Sequence, residues 1–199
     1  MFSSEAQERA GRLPWVWGAP VAAEALAVTE PMGGREVRRA TRAVVTGAEP
    51  SALFLWLCQL RRAPYSYDWI DNFGRRSPRQ ADPEMQDLAI GQEFMTIFTL
   101  TAYEPGWALT LRMNPGWPRR VFGDLAVTYR ITQVGRSLSQ LNVVLWLPLS
   151  GHGFGRLRRY LLAWGDVLMM RKQLHVLRRL AEHEPFAGAP LAHHKRRDS

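Results

Sequence analysis

The chain has 199 residues, 46% of them hydrophobic and 22% charged, which suits one domain with a core of its own. Its net charge is +8 and it has a single cysteine, Cys58, so an internal disulfide framework and a cysteine-built zinc cluster are both excluded. No apolar run reaches the ~18 residues of a membrane helix, "MFSSEAQERAGRL" does not read as a signal peptide, and the expected location is the cytoplasm.

Residues 1–36 are rich in Gly, Pro and Ala, with "LPWVWGAP" and "TEPMGG" as breakers. They read as an extended N-terminal arm with one short helix near "VAAEALA". From Arg38, "RRATRAVVTGAE" reads as a strand. "EPSALFLWLCQL" follows as a helix opened by Pro50 or Ser51, with Cys58 a buried thiol inside it. "SYDWIDN" reads as a second short helix. "ADPEMQDLAIGQ" holds a helical start, with Asp82 as cap and Pro83 in the first turn.

After Gly91 the apolar period changes to two. "FMTIFTLTAY" and "WALTLR" read as a hairpin around "EPG". In "LAVTYRIT", Leu125, Val127, Tyr129 and Ile131 share one face and Ala126, Thr128, Arg130 and Thr132 the other. In "LSQLNVVLWL", Leu141, Val143, Leu145 and Leu147 share a face. The expectation is an antiparallel sheet with one buried face.

The last element reads as a long helix from about Arg156 to Glu184. At ~100° per residue, Leu157, Tyr160, Leu161, Trp164, Val167, Leu168 and Leu174 fall on one arc, and Arg159, Asp166 and Gln173 opposite. Arg171 and His175 are expected within the apolar arc. Residues 185–199 read as a disordered basic tail. The fold class is therefore α+β, a curved sheet gripping a long C-terminal helix, a layout that tends to leave a cavity between the two.

This order, with the stretches "WGAP", "ATRAVVTGAEP", "LFLWLCQLRRAPYSYDWIDN", "DPEMQDLAIGQEF" and "MMRKQLHVLRRLAE", resembles the START-like superfamily of ligand-binding and polyketide cyclase/dehydratase-like proteins (SRPBCC). The likeness is greatest to a bacterial subgroup and runs from Trp17 to Glu182. Met85 and Gln92 stand where that subgroup carries Trp and Asp, and "RRAP" replaces a glycine-rich turn. The resemblance implies a helix-grip domain over 37–184. It implies no single activity, since the superfamily spans carriers, cyclases, hydrolases and inert binders.

The stretch "YSYDWIDN" supports two readings. In one, Ser66 caps a helix, Asp68 favours its first turn and Asn72 suits a left-handed exit. In the other, Tyr65, Tyr67, Asp68 and Asn72 present polar groups at a cavity mouth. Arg171 either snorkels or pairs with Asp68, Asp71, Glu84 or an anionic ligand. His175 is either a core-edge residue or an acid–base group. The other histidines, His152, His183, His193 and His194, form no metal spacing, and no cofactor is expected. "GHGFG" reads as a turn before the last helix, not as a dinucleotide loop.

The first functional expectation is a binding protein for a hydrophobic or aromatic small molecule. Its cavity would be lined by Trp107, Leu109, Val127, Tyr129, Leu141, Val143, Trp164 and Leu168, with Arg171 as anchor. The second is a cyclase or dehydratase using Tyr67, Asp68, Arg171 or His175. The third is contact of the basic runs with an anionic surface. Nucleic acid is not the expected partner, because no basic–aromatic motif of recognised spacing is present.

Overall fold

The computed structural model describes residues 13–21, 32–33, 36–65, 77–135, 137–148 and 154–184, the side chains of 154–167 excepted. The elements in chain order are β1 (Val16–Trp17), β2 (Val37–Thr46), α1 (Pro50–Cys58), β3 (Glu93–Phe94), β4 (Phe98–Glu104), β5 (Ala108–Met113), α2 (Trp117–Phe122), β6 (Ala126–Gln133), β7 (Ser139–Pro148) and α3 (Phe154–Glu182). Single 3-10 turns stand at Gln59–Arg61 and Pro83–Gln86. The expected helix at "SYDWIDN", the short helix near "VAAEALA" and the basic tail fall wholly or almost wholly outside the described residues.

The strands form one sheet in the order β1-β2-β7-β6-β5-β4-β3, and every neighbouring pair but β1–β2 is antiparallel. The first long strand thus lies beside the last, β2 pairing with β7 over ten residues from Val37↔Pro148 to Thr46↔Ser139. Alternation puts Ala40, Arg42 and Val44 of β2 on the same face as Val127, Tyr129 and Ile131 of β6 and Leu141, Val143 and Leu145 of β7. The apolar members of that inner face form one core with α1 and the C-terminal half of α3.

Helix α1 buries six consecutive residues, Leu53–Cys58, as a helix enclosed on all sides must. Cys58 is buried among them. Burial pushes its thiol up to about 12, so at neutral pH it is a protonated apolar filler and not a nucleophile. The indole of Trp56 donates to Glu184 (2.9 Å), and Thr46 donates to Glu182 (2.7 Å). These two bonds tie the end of α3 to α1 and to the sheet.

The structure departs from, or adds to, the sequence reading at four points. The apolar stretch from Phe94 is not one strand: Met95 and Thr96 take left-handed backbone (φ 48° and 67°) and fold it into the β3–β4 turn, where the Met95 N–H donates to Leu60 O. The Asp82 cap forms, accepting from the Glu84 N–H, but the helix is a single turn. Carbonyls that a longer helix would use go elsewhere, Met85 O and Asp87 O to the Arg61 guanidinium and Asp87 O also to Gln92. Helix α2 was not expected, although Pro118 in its first turn and glycines at both ends signal it.

The fourth point concerns the sheet, which buries much of both faces. On its outer face Ala126, Val144 and Trp146 cluster with Met32 of the arm, and Val21 packs against them. The Val21 N–H donates to Asn142 Oδ1 (3.2 Å) and Gln140 donates to Ala19 O (2.7 Å). The arm starts on the inner side at Trp15 and Trp17 and crosses the β2 edge at Gly18. There φ is +78° and a Cβ would sit 2.3 Å from Ala43 O, so the crossing requires glycine.

Candidate functional site

One register row of the inner face carries both Arg42 and Tyr129. Trp17 of β1 stands opposite Arg42 of β2, Arg42 opposite Val143 of β7, Val143 opposite Tyr129 of β6, and Tyr129 opposite Leu109 of β5. At ~4.8 Å per strand, Arg42 and Tyr129 lie about 10 Å apart across Val143. Both side chains are fully buried.

Burying a guanidinium is costly unless its hydrogen bonds are replaced. Arg42 donates to Pro14 O (2.7 Å), Trp15 O (2.9 Å) and Thr41 O (3.0 Å), so the arm supplies carbonyls in place of water. The Tyr129 hydroxyl donates to Gln173 Oε1 on α3 (2.8 Å), and Gln173 donates onward to Pro64 O. That chain of bonds joins sheet, helix and the segment leading to Tyr65. Tyr65 is itself buried with left-handed backbone (φ 53°), its ring edge-on to Trp56 at 5.9 Å.

The residues expected from sequence distribute as follows. Leu109, Val127, Tyr129, Leu141 and Val143 come together on the inner face, each 0–1% exposed. Tyr67, Asp68, Asn72 and the Trp164 side chain lie outside the described residues. Trp107 is in the β4–β5 turn and 37% exposed, because regular alternation begins only at Ala108. Leu168, expected inward, is 59% exposed, whereas Gln173, expected outward, is buried.

The reason is helical phase. The buried stripe of the described half of α3 is Met170, Gln173, Leu174, Leu177 and Ala181, a spacing of three and four that leaves Leu168 on the far side. Arg171 consequently leaves the apolar arc. It is exposed, with its guanidinium carbon 5.6 Å from the Trp17 ring centre. His175 meets the same indole edge-on at 5.5 Å.

Partial burial, then the charges of Arg178, Arg171 and Arg179, hold the His175 imidazole below its ordinary value. The unfolded chain therefore takes up this proton more readily than the folded one as pH falls through ~6.5. Stability from this group is complete above that pH and declines below it. Thermal melts of the wild type and His175→Gln from pH 7.5 to 5.5 check this: the wild type is expected to lose more stability than the variant. A wild type that gains on the variant with acid has the opposite linkage.

Sequence reasoning missed Arg42, Gln173 and Gln59. The signal for Arg42 is its place between Ala40 and Val44 in the alternation. The signal for Gln173 is a polar residue at the phase of Met170, Leu174 and Leu177. Gln59 is fully buried and follows the last apolar residue of α1 without any period of its own.

A sheet whose first long strand lies against its last, closed on one face by a C-terminal helix, settles the architecture. This is a helix-grip arrangement, the α+β layout expected from the sequence. The Mesorhizobium loti protein MLL2253 is similar in structure at 16% identity, over 74% of this chain and 99% of that one, with a TM-score of 0.47. Zhui aromatase/cyclase from Streptomyces sp. R1128 is similar at 14% identity, over 78% and 100%, with a TM-score of 0.45. A protein from Arthrobacter aurescens is similar at 13% identity, over 80% and 96%, with a TM-score of 0.47. No family model and no curated protein matches the sequence.

Proposed function

We propose that the protein binds a hydrophobic or aromatic small molecule between the inner face of the sheet and α3. The observation that carries this reading is a fixed polar pair set inside an apolar face: the Tyr129 hydroxyl, bonded to Gln173, among Leu109, Val127, Leu141 and Val143. An apolar face backed by a few fixed polar groups is the composition of a small-molecule site. The polar groups here are Tyr129 and Gln173, whose bonds to each other hold their orientation.

Arg171 has no place in this reading as an anchor, since its described contact is Trp17 at the arm. The cyclase or dehydratase alternative needs a proton donor or acceptor facing the ligand. Among the described residues, the Tyr129 hydroxyl is engaged with Gln173, and His175 faces an indole and three arginines. The alternative's other two candidate groups, Tyr67 and Asp68, lie outside the described residues, and the binding reading needs no such group.

Native mass spectrometry of the full chain, with an organic extract analysed alongside, tests it. The expected result is a co-purifying small molecule, or uptake of anilinonaphthalene sulfonate that Leu145→Trp reduces by adding bulk to the inner face. A clean apo mass with no saturable uptake of that probe overturns the proposal.

A further inference from the structure

A concave site lies at the surface beside the end of α1. A cleft of about 590 Å³ is lined by Arg62, Pro78, Arg79, Gln80, Ala81, Asp82 and Pro83. Its two sides come from separate segments, the chain leaving α1 and the loop preceding β3, and they are bound to each other by side chains. Fully buried Gln59 donates to Asp82 O (2.8 Å) and accepts from the Asp82 N–H (3.1 Å). Arg61 donates to Met85 O and Asp87 O (3.2 Å each). The Arg62 N–H donates to Gln59 O (2.8 Å), which fixes the backbone that carries the first guanidinium.

Each segment contributes one exposed arginine to the cleft, Arg62 from the first and Arg79 from the second. Asp82, the acidic lining residue, has one carboxylate oxygen committed to the Glu84 N–H as a cap. Pro78, Ala81 and Pro83 give the cleft apolar surface, and the Gln80 amide adds a donor and an acceptor. Guanidinium forks match carboxylate and phosphate oxygens two at a time. The volume falls within the ~300–1,000 Å³ range of small-molecule sites.

We infer that this cleft binds a small organic anion, its carboxylate or phosphate held between Arg62 and Arg79. None of the lining residues belongs to the inner face of the sheet, although Ala81 packs against its core, and the inference is tested independently of the binding proposed there. The apolar lining takes the body of the molecule, and the Gln59 and Arg61 bonds hold the two segments that carry the arginines against each other.

Calorimetric titration of the full chain with inorganic pyrophosphate and, separately, with citrate tests the inference, using Arg62→Gln, Arg79→Gln, the double variant and Arg120→Gln as a control elsewhere on the surface. Circular dichroism checks that each variant is folded. Saturable 1:1 binding of at least one probe is expected, weakened at least ~10-fold by either cleft substitution and unchanged by Arg120→Gln. The probe that binds distinguishes phosphate from carboxylate. The inference is overturned by no saturable binding of either probe, by binding that survives in the double variant, or by an equal loss in Arg120→Gln, which would report only net charge.

Discussion

Arg42→Met is expected to destabilise the protein by about 2–4 kcal/mol, among the largest effects of any single polar substitution here. Methionine keeps most of the apolar stem but removes the guanidinium donors to Pro14 O, Trp15 O and Thr41 O, and Trp15 O is left with the Thr41 N–H alone. A charged donor to a carbonyl is worth ~1.5–3 kcal/mol, offset in part by relief of burying the charge. Arg42→Lys should recover only part of the loss, because one ammonium cannot reproduce the fork that spans Pro14 O and Trp15 O. Urea unfolding measures the cost. Limited proteolysis locates it, since cleavage within 13–21 should accelerate in Arg42→Met while the sheet stays resistant. A variant with wild-type stability and an uncut arm would mean that strand pairing of Val16–Trp17 with Thr41–Arg42 holds the arm without the guanidinium.

This dependence explains what the sequence conveyed and what it concealed. Alternation in 125–131 and 141–147 identified the inner face correctly, because a half-buried strand repeats every two residues regardless of what covers its other side. The same pattern could not show that Ala126, Val144 and Trp146 are also buried. Their cover comes from Val21 and Met32, more than ninety positions away from any of them in the chain. "WGAP" read as a breaker, yet Gly18 is there for contact: it lets the chain pass over Ala43 O, a neighbour that no local pattern names.

The candidate site was legible to a similar depth. Leu109, Val127, Tyr129, Leu141 and Val143 could be grouped from strand faces alone, and the structure sets them in one core. The partner of Tyr129 could not be read, because Gln173 was assigned by polarity to the outside of the helix. Polarity is a poor guide where a buried amide finds both a donor and an acceptor, here the Tyr129 hydroxyl and Pro64 O. That Arg62 and Arg79 line one cleft was equally hidden, as it depends on Gln59 joining two segments, with Gln59 and Asp82 being 23 positions apart.

Helix α3 provides the second large effect and a direct test of phase. Leu177→Ala is expected to cost about 2–5 kcal/mol, the range for emptying a closed core position, since Leu177 is fully buried between the sheet and α1. Leu168→Ala, at 59% exposure, should lie within ~0.5 kcal/mol of the wild type. An arc drawn through Leu157, Leu161 and Trp164 runs on to Leu168 and gives the opposite ranking. Urea midpoints therefore decide between the two phases without a ligand or an assay. If Leu168→Ala costs as much as Leu177→Ala, α3 is turned away from the face described, and the Tyr129–Gln173 bond cannot form. If the ranking is as expected, Gln173 points at the sheet. Tyr129→Phe should then cost about 1 kcal/mol, the net worth of a buried hydrogen bond, because Gln173 of α3 holds that hydroxyl across the core.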